Sequence, residues 1–277
     1  MTAQPMEEIV LTFKGTRGSR IPLEADPITP DILQLKFRPE IERLPLHHGN
    51  EQVLLGDFFT VKGERSNQIR VQGDLSLVKN IGAGMQAGRI VVEGNIGMHV
   101  GARMSGGEIE IHGNADDWAG AEMTGGLLWI KGNVGNRAGS AYRGSKYGMR
   151  GGVILIEGSG GHEVGGYMRR GLIVVRGDVE DHTGARMVAG SIFVLGRLGA
   201  RTGGGMKRGS IVCFHTPDML PTFRLTSTYT PLFIPIFLRS LQARGFSVSE
   251  VQRARHFTRY CGDMAELGKG EILVCQG

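Results

Sequence analysis

From Ile69 to His215 the chain keeps a 19-residue step, and that step constrains its fold more than any other feature. Six successive segments carry it: IVVEGNIGMHVGARMSGG from Ile90, IEIHGNADDWAGAEMTGG from Ile109, LWIKGNVGNRAG from Leu128, ILIEGSGGHEVGGYMRRG from Ile154, IVVRGDVEDHTGARMVAG from Ile173 and IFVLGRLGARTGGGMKRG from Ile192. A looser copy, IRVQGDLSLVKNIGAGMQAG, starts at Ile69, and a truncated one, IVCFH, at Ile211. Two markers report the period independently. A glycine falls at Gly94, Gly113, Gly132, Gly158, Gly177 and Gly196, and a methionine at Met104, Met123, Met149, Met168, Met187 and Met206. Each marker steps by 19 residues with a single jump of 26. Repetition at this period means stacked copies of one small unit.

The unit is too short for a pair of helices. It holds one β-rich pentad, such as IVVEG, followed by glycine-punctuated turns. Alternation within the pentad directs two columns inward. One runs Ile69, Ile90, Ile109, Leu128, Ile154, Ile173, Ile192; the other runs Val71, Val92, Ile111, Ile130, Ile156, Val175, Val194. The methionines form a third inward ladder, where a flexible thioether fills a corner. The expected fold is all-β, a parallel β-helix solenoid of seven to eight turns, roughly 35 Å long at ~4.8 Å per turn. The expected division is an N-terminal cap over residues 1–67, the repeat domain over 68–215, and a C-terminal cap and packing segment over 216–277.

The flanks do not repeat. EIVLTFKG reads as a strand, Thr29-Pro30-Asp31 as a helix start, and PLHHGNEQVLLGDFFTV as a turn followed by a strand. In the tail, the segment from Pro235 to about Arg244 reads as a helix ended by Gly245, and EILVCQ as a closing strand. The outward position between the two inward columns holds Arg70, Val91, Glu110, Trp129, Leu155, Val174, Phe193 and Val212. Five consecutive apolar residues from Trp129 onward form a stripe that needs a cover, either the C-terminal tail or another subunit.

Composition narrows the function classes. The 45 glycines come with only 10 prolines and a 40% hydrophobic content, which excludes collagen and a disordered chain. Three cysteines without a CxxC pair argue against a disulfide framework and a structural zinc site. No basic and apolar leader opens the chain, and no apolar run reaches membrane-spanning length, so the expected compartment is the cytoplasm. The net charge is +5, and 24 of the 32 basic residues are Arg. There is no basic run, aromatic platform or zinc-finger spacing to indicate nucleic acid. A small polyanion or an acidic partner suits an Arg-rich surface about as well.

The jump in the period lies in GSAYRGSKYGMRGG, from Gly139 to Gly152. The step of 26 instead of 19 inserts seven residues there. An insertion at a turn leaves the flanking strands paired, so the loop is expected to project with Tyr142, Arg143, Lys146 and Tyr147 on it. Arg150 and Arg169 follow one repeat apart and should be neighbours, with Arg170 beside them and Arg186, Arg201, Lys207 and Arg208 further along. Such a stripe suits a chain of carboxylates. The candidate binding residues are therefore Tyr142, Arg143, Lys146, Arg150, Arg169 and Arg170.

Other motifs carry less. GAGMQAG at Gly82 to Gly88 has no following helix, and GSKYG lacks Walker spacing, so neither is a nucleotide loop. His47 and His48 are adjacent on a strand and point apart. His99, Trp118, Arg137, Glu163, His182 and Arg201 share one column, a polar edge rather than a set of metal ligands. Asp116-Asp117 reads as a solvated corner. No nucleophile sits beside a base, so no catalytic residue and no metal ligand is assigned. A catalytic β-helix using paired acids on carbohydrate stays open as an alternative.

The spacing G-x-x-G-x-x-x-G, as in GNIGMHVG and GRLGARTG, resembles the C-terminal β-helix of glutamate synthase and the β-helix of the formylmethanofuran dehydrogenase C-subunit. PLEADPITPDIL, HGN, GDFFTVKGE, EGNIGMHVGARMSGGEIEIHGNADDWAGAEMTGG and GSAYRGSKYGMRGG resemble the second family over most of residues 20–215. That resemblance implies a cytoplasmic subunit of a one-carbon enzyme complex. One branch is a bacterial formyltransferase/hydrolase of methylotrophic formaldehyde oxidation, moving a formyl group from tetrahydromethanopterin to a methanofuran analogue and releasing formate. The other is an archaeal tungsten or molybdenum dehydrogenase. The Arg bias favours the bacterial branch. The resemblance assigns chemistry to an amidohydrolase-like hydrolase subunit and a formyltransferase subunit, with a further subunit beside them. This chain is left as a non-catalytic scaffold. It implies no covalently bound cofactor, and it makes the polyglutamate tail of methanofuran or its analogue the ligand for the six residues above.

Overall fold

The computed structural model describes residues 8–16, 18, 20–248 and 256–276. The elements run β1 (Ile9–Phe13), β2 (Leu23–Glu24), α1 (Pro30–Leu33), α2 (Arg38–Glu42), β3 (Pro45–His48), β4 (Glu51–Leu54), α3 (Leu55–Phe58) and β5 (Phe59–Lys62). Next come β6 (Gln68–Gln72), β7 (Val78–Lys79), β8 (Arg89–Glu93), β9 (Glu108–Ile111), β10 (Leu127–Ile130), β11 (Arg150–Ile156), β12 (Arg170–Val175), β13 (Ser191–Val194) and β14 (Arg208–Cys213). The tail holds β15 (Arg224–Tyr229), α4 (Phe233–Ala243), β16 (His256–Gly262) and β17 (Lys269–Gln276).

Thirteen strands form one sheet in the order β15-β16-β17-β14-β13-β12-β11-β10-β9-β8-β6-β1-β5. From β6 to β14 each repeat adds one strand, parallel to the last, with the isoleucine column in register from Ile69 through Ile90, Ile109, Leu128, Ile154, Ile173 and Ile192 to Ile211. A second ladder of parallel bridges joins Leu75, Ile96, Ala115, Val134, Gly160, Val179 and Leu198, one residue per repeat. Both inward columns and the methionines are buried. The flanks extend the stack as well as closing it. Ile9 of β1 sits in register with Ile69, and Ile272 of β17 with Ile211. The outer neighbours β5 and β16 are antiparallel. A separate four-stranded sheet, β4-β3-β2-β7, covers the N-terminal end.

Glycine is needed where backbones meet. A Cβ on Gly125 would lie 2.0 Å from the Ser105 carbonyl oxygen of the repeat beneath. Small polar side chains stitch the repeats elsewhere. Asn95 Oδ1 accepts the Asn114 N–H at 2.9 Å, and Asn114 Oδ1 accepts the Asn133 N–H at 2.7 Å. Asp117 likewise accepts the Asn136 N–H at 2.6 Å, which gives that corner carboxylate a backbone role.

The apolar stripe is covered by the tail. Helix α4 buries Ile234, Leu238 and Leu241 at a spacing of four and three, one helical face. They pack with Trp129, Leu155, Val174, Phe193, Val212 and Leu273 in a second core. The helix stops where Gly245 takes φ +84°, with the Phe246 N–H donating to the Leu241 carbonyl at 3.0 Å and the Gly245 N–H to Gln242 at 2.9 Å. Phe246, buried beneath, locks that end.

Candidate functional site

Each repeat leaves its strand through a turn with left-handed backbone at alternate residues. His99, Gly101 and Arg103 have φ of 67°, 62° and 57°; Trp118, Gly120 and Glu122 have 64°, 61° and 55°. Glu163/Gly165/Tyr167 and His182/Gly184/Arg186 repeat the pattern, and Arg137 and Arg201 open their turns the same way. The middle residue must be Gly because its neighbours lie beneath it. A Cβ on Gly139 would meet Ile173 Cδ1 at 2.7 Å. The outer two positions carry full side chains, although a left-handed non-glycine residue costs about 1 kcal/mol or more. Hydrogen bonds between repeats hold them there: the His99 N–H donates to Asp117 O at 3.0 Å, and the Trp118 N–H to Asn136 O at 2.8 Å. Eleven of the twelve non-glycine residues with positive φ among the described residues lie in these two columns, so strain is confined to one face.

The insertion returns to this face. Met149 N–H donates to Gly139 O at 2.8 Å and closes the loop at its base. Tyr142 does not project; this corrects the sequence expectation for that residue. Its ring stacks on Trp118 at 4.9 Å between centroids, Arg103 lies over it at 5.3 Å, and its hydroxyl is 3.0 Å from His99 Nδ1. Stacking and an anchoring hydrogen bond outweigh the solvation of one phenol. Burial pushes the Tyr142 hydroxyl up to about 12, so it stays protonated, and burial pushes His99 down. Glu122 is raised by burial, but hydrogen bonds from Ser145, Arg103 and the Tyr142 N–H outweigh this and hold it below its ordinary value. Arg137 lies over Trp118 at 4.9 Å and pairs with Glu163 at 2.8 Å.

The loop separates the two larger depressions of the face, and two smaller ones lined by Arg137, Arg143 and Glu163 lie there as well. On the N-terminal side a pocket of about 520 Å³ lies between His99, Arg103 and Tyr142 and the cap residues Glu24, Asp26 and Lys79. On the C-terminal side a groove of about 970 Å³ is lined by Lys146, Tyr147, Tyr167, Arg186, Arg201 and Lys207. Arg186 Nη1 donates to Tyr167 Oη at 2.7 Å, and Arg169 lies over Tyr147 at 4.9 Å. Glu266, 3.9 Å from Lys207, is the acidic residue in the groove lining. The groove gathers cations at successive repeats and two aromatic walls, an arrangement that holds an elongated anion.

The six sequence-chosen residues therefore divide. Lys146 lines the groove and Arg169 sits at its rim on Tyr147. Arg143 is exposed and lines two smaller depressions with Arg137 and Glu163, and Tyr142 anchors the loop and lines the N-terminal pocket. Arg150 and Arg170 stand opposite each other at the starts of β11 and β12, outside the groove lining. The repeat step pointed to Arg150 beside Arg169; a register shift between Arg150 and Val153 moves the pairing by one residue. Arg186, Arg201 and Lys207 belonged to the basic stripe and line the groove, whereas Tyr167 went unnoticed. Its signal is its place in the same column as Arg186, one repeat earlier. Among the described residues no group of three or more His, Cys, Asp or Glu is placed to hold a metal, and no helix is long and apolar enough to cross a membrane.

No protein-family model matches the chain. It is 44% identical over 99 residues to the C-subunit of the tungsten-containing formylmethanofuran dehydrogenase 2 of Methanothermobacter wolfeii, covering 34% of this chain and 36% of that relative. It is 46% identical over 102 residues to the C-subunit of the molybdenum-containing formylmethanofuran dehydrogenase 1 of Methanosarcina barkeri, 35% of this chain and 33% of that one. The matched stretch thus spans about a third of these curated relatives. A solved structure matches throughout. A chain of the formyltransferase/hydrolase complex (FhcABCD) from Methylorubrum extorquens, in complex with methylofuran, superposes with a TM-score of 0.89 at 32% identity, over 97% of this chain and 100% of that one.

Proposed function

The chain belongs to the family of formylmethanofuran dehydrogenase C-subunits, and from that premise we propose that it is the scaffold subunit of a formyltransferase/hydrolase complex of one-carbon metabolism. The observation that carries this reading is the end-to-end superposition on a chain of such a complex, against partial matches to the dehydrogenase subunits. In it the stack is a parallel β-helix of seven to eight turns, with residues 68–215 as the rigid prism and residues 1–67 and 216–277 as caps. The prism joins a hydrolase subunit, a formyltransferase subunit and a further subunit, which carry out formyl transfer and formate release. A stack stiffened by inter-repeat hydrogen bonds suits a part that fixes the distance between two active sites. The chain itself supplies no catalytic group.

The same face gives the scaffold a second task, contact with the polyglutamate tail of a methanofuran-type carrier through Tyr142, Arg143, Lys146, Arg150, Arg169 and Arg170. Guanidinium groups at successive repeats match carboxylates along a chain. The doubly substituted Arg143→Ala/Arg169→Ala chain, assembled in its complex, is expected to bind the carrier about tenfold more weakly and with a shallower salt dependence. Equal affinity at every salt concentration would refute the tail contact. Gentle purification of the tagged full chain tests the complex. Hydrolase and formyltransferase partners support it, whereas a molybdopterin and iron–sulfur set would place the chain in a dehydrogenase instead.

A further inference from the structure

Helix α4 uses one side to cover the stripe on the sheet, and its other side is not empty of apolar groups. Leu232, its N-terminal cap residue, is 81% exposed, and Ile236, one turn later, is 68% exposed. Strand β15 leads into this helix and ends the thirteen-stranded sheet. All six of its residues are exposed, Leu225 by 65%. An open edge strand whose one charge is Arg224 at its start invites pairing, and soluble chains blunt such edges or cover them. The charge carried by this stretch itself is of one sign, and Glu271, the acid that acts on Tyr229 of β15, is paired with Arg259 at 2.7 Å. From Arg224 to Gly245 the sequence holds Arg224, Arg239 and Arg244 and no Asp or Glu. None of the three arginines makes an ion pair with a described residue. Two other exposed apolar pairs lie by contrast among both signs, Leu35 and Phe37 with Lys36, Arg38 and Glu40, and Met264 and Leu267 with Asp263, Glu266 and Lys269.

We propose that the outer side of α4 together with β15 is the docking surface for another subunit of the complex, one that offers apolar side chains within an acidic rim. This rests on the reading of the chain as a complex subunit. Three features select the occupant. A basic rim repels an identical rim, which disfavours a second copy of this chain. Ile236 and the cap residue Leu232, on an 11-residue helix whose main apolar side is already packed, make too narrow a band to lie in a lipid surface. Aliphatic anchors on segments that also carry Arg224 and Arg239 match a desolvated centre with a complementary acidic border.

The test is assembly of the full chain with the other subunits, co-expressed. A photo-crosslinking residue at Ile236 should trap one subunit, at a segment rich in Asp or Glu. Leu232→Glu/Ile236→Glu should weaken retention of that subunit on the order of 30-fold. Arg239→Glu should weaken it less, and most at low salt. In a Trp118→Phe background, unchanged fluorescence of Trp129, which packs with α4, reports that the variant helix still sits on the sheet. A wild type that assembles while the Leu232→Glu/Ile236→Glu variant assembles equally overturns the surface alone. A wild type that retains none of the subunits overturns the complex reading and the surface with it. Cross-links only between copies of this chain, or binding of the chain to phosphatidylserine vesicles that the variant abolishes, assign the surface to another occupant and overturn the proposal.

Discussion

One position of the repeat behaves oppositely in the two halves of the sheet. Toward the N-terminus, the outward column and its neighbours are a lattice of ion pairs. Arg70 bonds Glu8 at 2.8 Å and also pairs with Glu93, and Arg89 reaches Glu110 at 2.6 Å with His112 alongside. From Trp129 onward the same position is apolar and lies under α4, with Phe193 against Phe237 at 5.3 Å between ring centroids. The strand backbone and register are the same in both halves. The repeat therefore dictates where an outward side chain stands, and its chemistry decides whether that side faces water or a helix. The halves should also differ in energy, since buried aromatic packing outweighs exposed ion pairs.

The largest way to break this contrast is Phe193→Ala. It removes a fully buried ring from the covered half and should destabilise the chain by about 3–5 kcal/mol. Hydrogen exchange across α4 should accelerate before that of the stacked strands. If α4 exchanged no faster, the helix would not be held by the stripe. The uncovered half responds instead to acid. Burial raises Glu110, but the hydrogen bond and charge of Arg89, with His112 and Lys131, outweigh it and hold Glu110 below its ordinary 4.5. A carboxylate held below its unfolded value stabilises fully above that value and stops doing so as the pH falls through the folded one. The urea midpoint should therefore fall as the pH drops below about 4.5, and Glu110→Gln should lose part of that slope. An unchanged slope in the variant would remove Glu110 from the account. The smallest effect belongs to Arg70→Ala. Its pairs with Glu8 and Glu93 are one-third exposed, so the loss should stay below about 1 kcal/mol. A loss as large as that of Phe193→Ala would erase the distinction between the halves.

The sheet was legible because its information is redundant. Two markers at one period place the strands of the repeat and predict the buried columns, and a wrong register would turn both columns outward. The stripe was legible as a surface needing a cover, with the tail ahead of a partner subunit as the candidate. Nothing local to Trp129 or Phe193 says which apolar segment reaches them. The helix that does so, ended at Gly245, was readable from its own spacing and its glycine. The candidate face was half legible. The basic column positions follow the repeat, so Arg186 stands against Tyr167 of the repeat before it, as stacking requires. Tyr142 was misread because its partners His99 and Trp118 lie two repeats and one repeat away, and a loop outside the period has no register from which to infer contacts.

The sequence by itself determined the stacking step, the inward columns, the site of the insertion and the basic sign of the face beyond it. These follow from periodic side-chain direction along a strand, which one repeat passes to the next. Only the tertiary structure decided that β1 and β17 extend the sheet, that α4 closes one half of it, and that the insertion folds back on His99 and Trp118 and walls a groove. Those choices join segments of different pattern. They are settled by which surfaces fit and exclude water together, a property of the assembled shape that no single stretch of chain records.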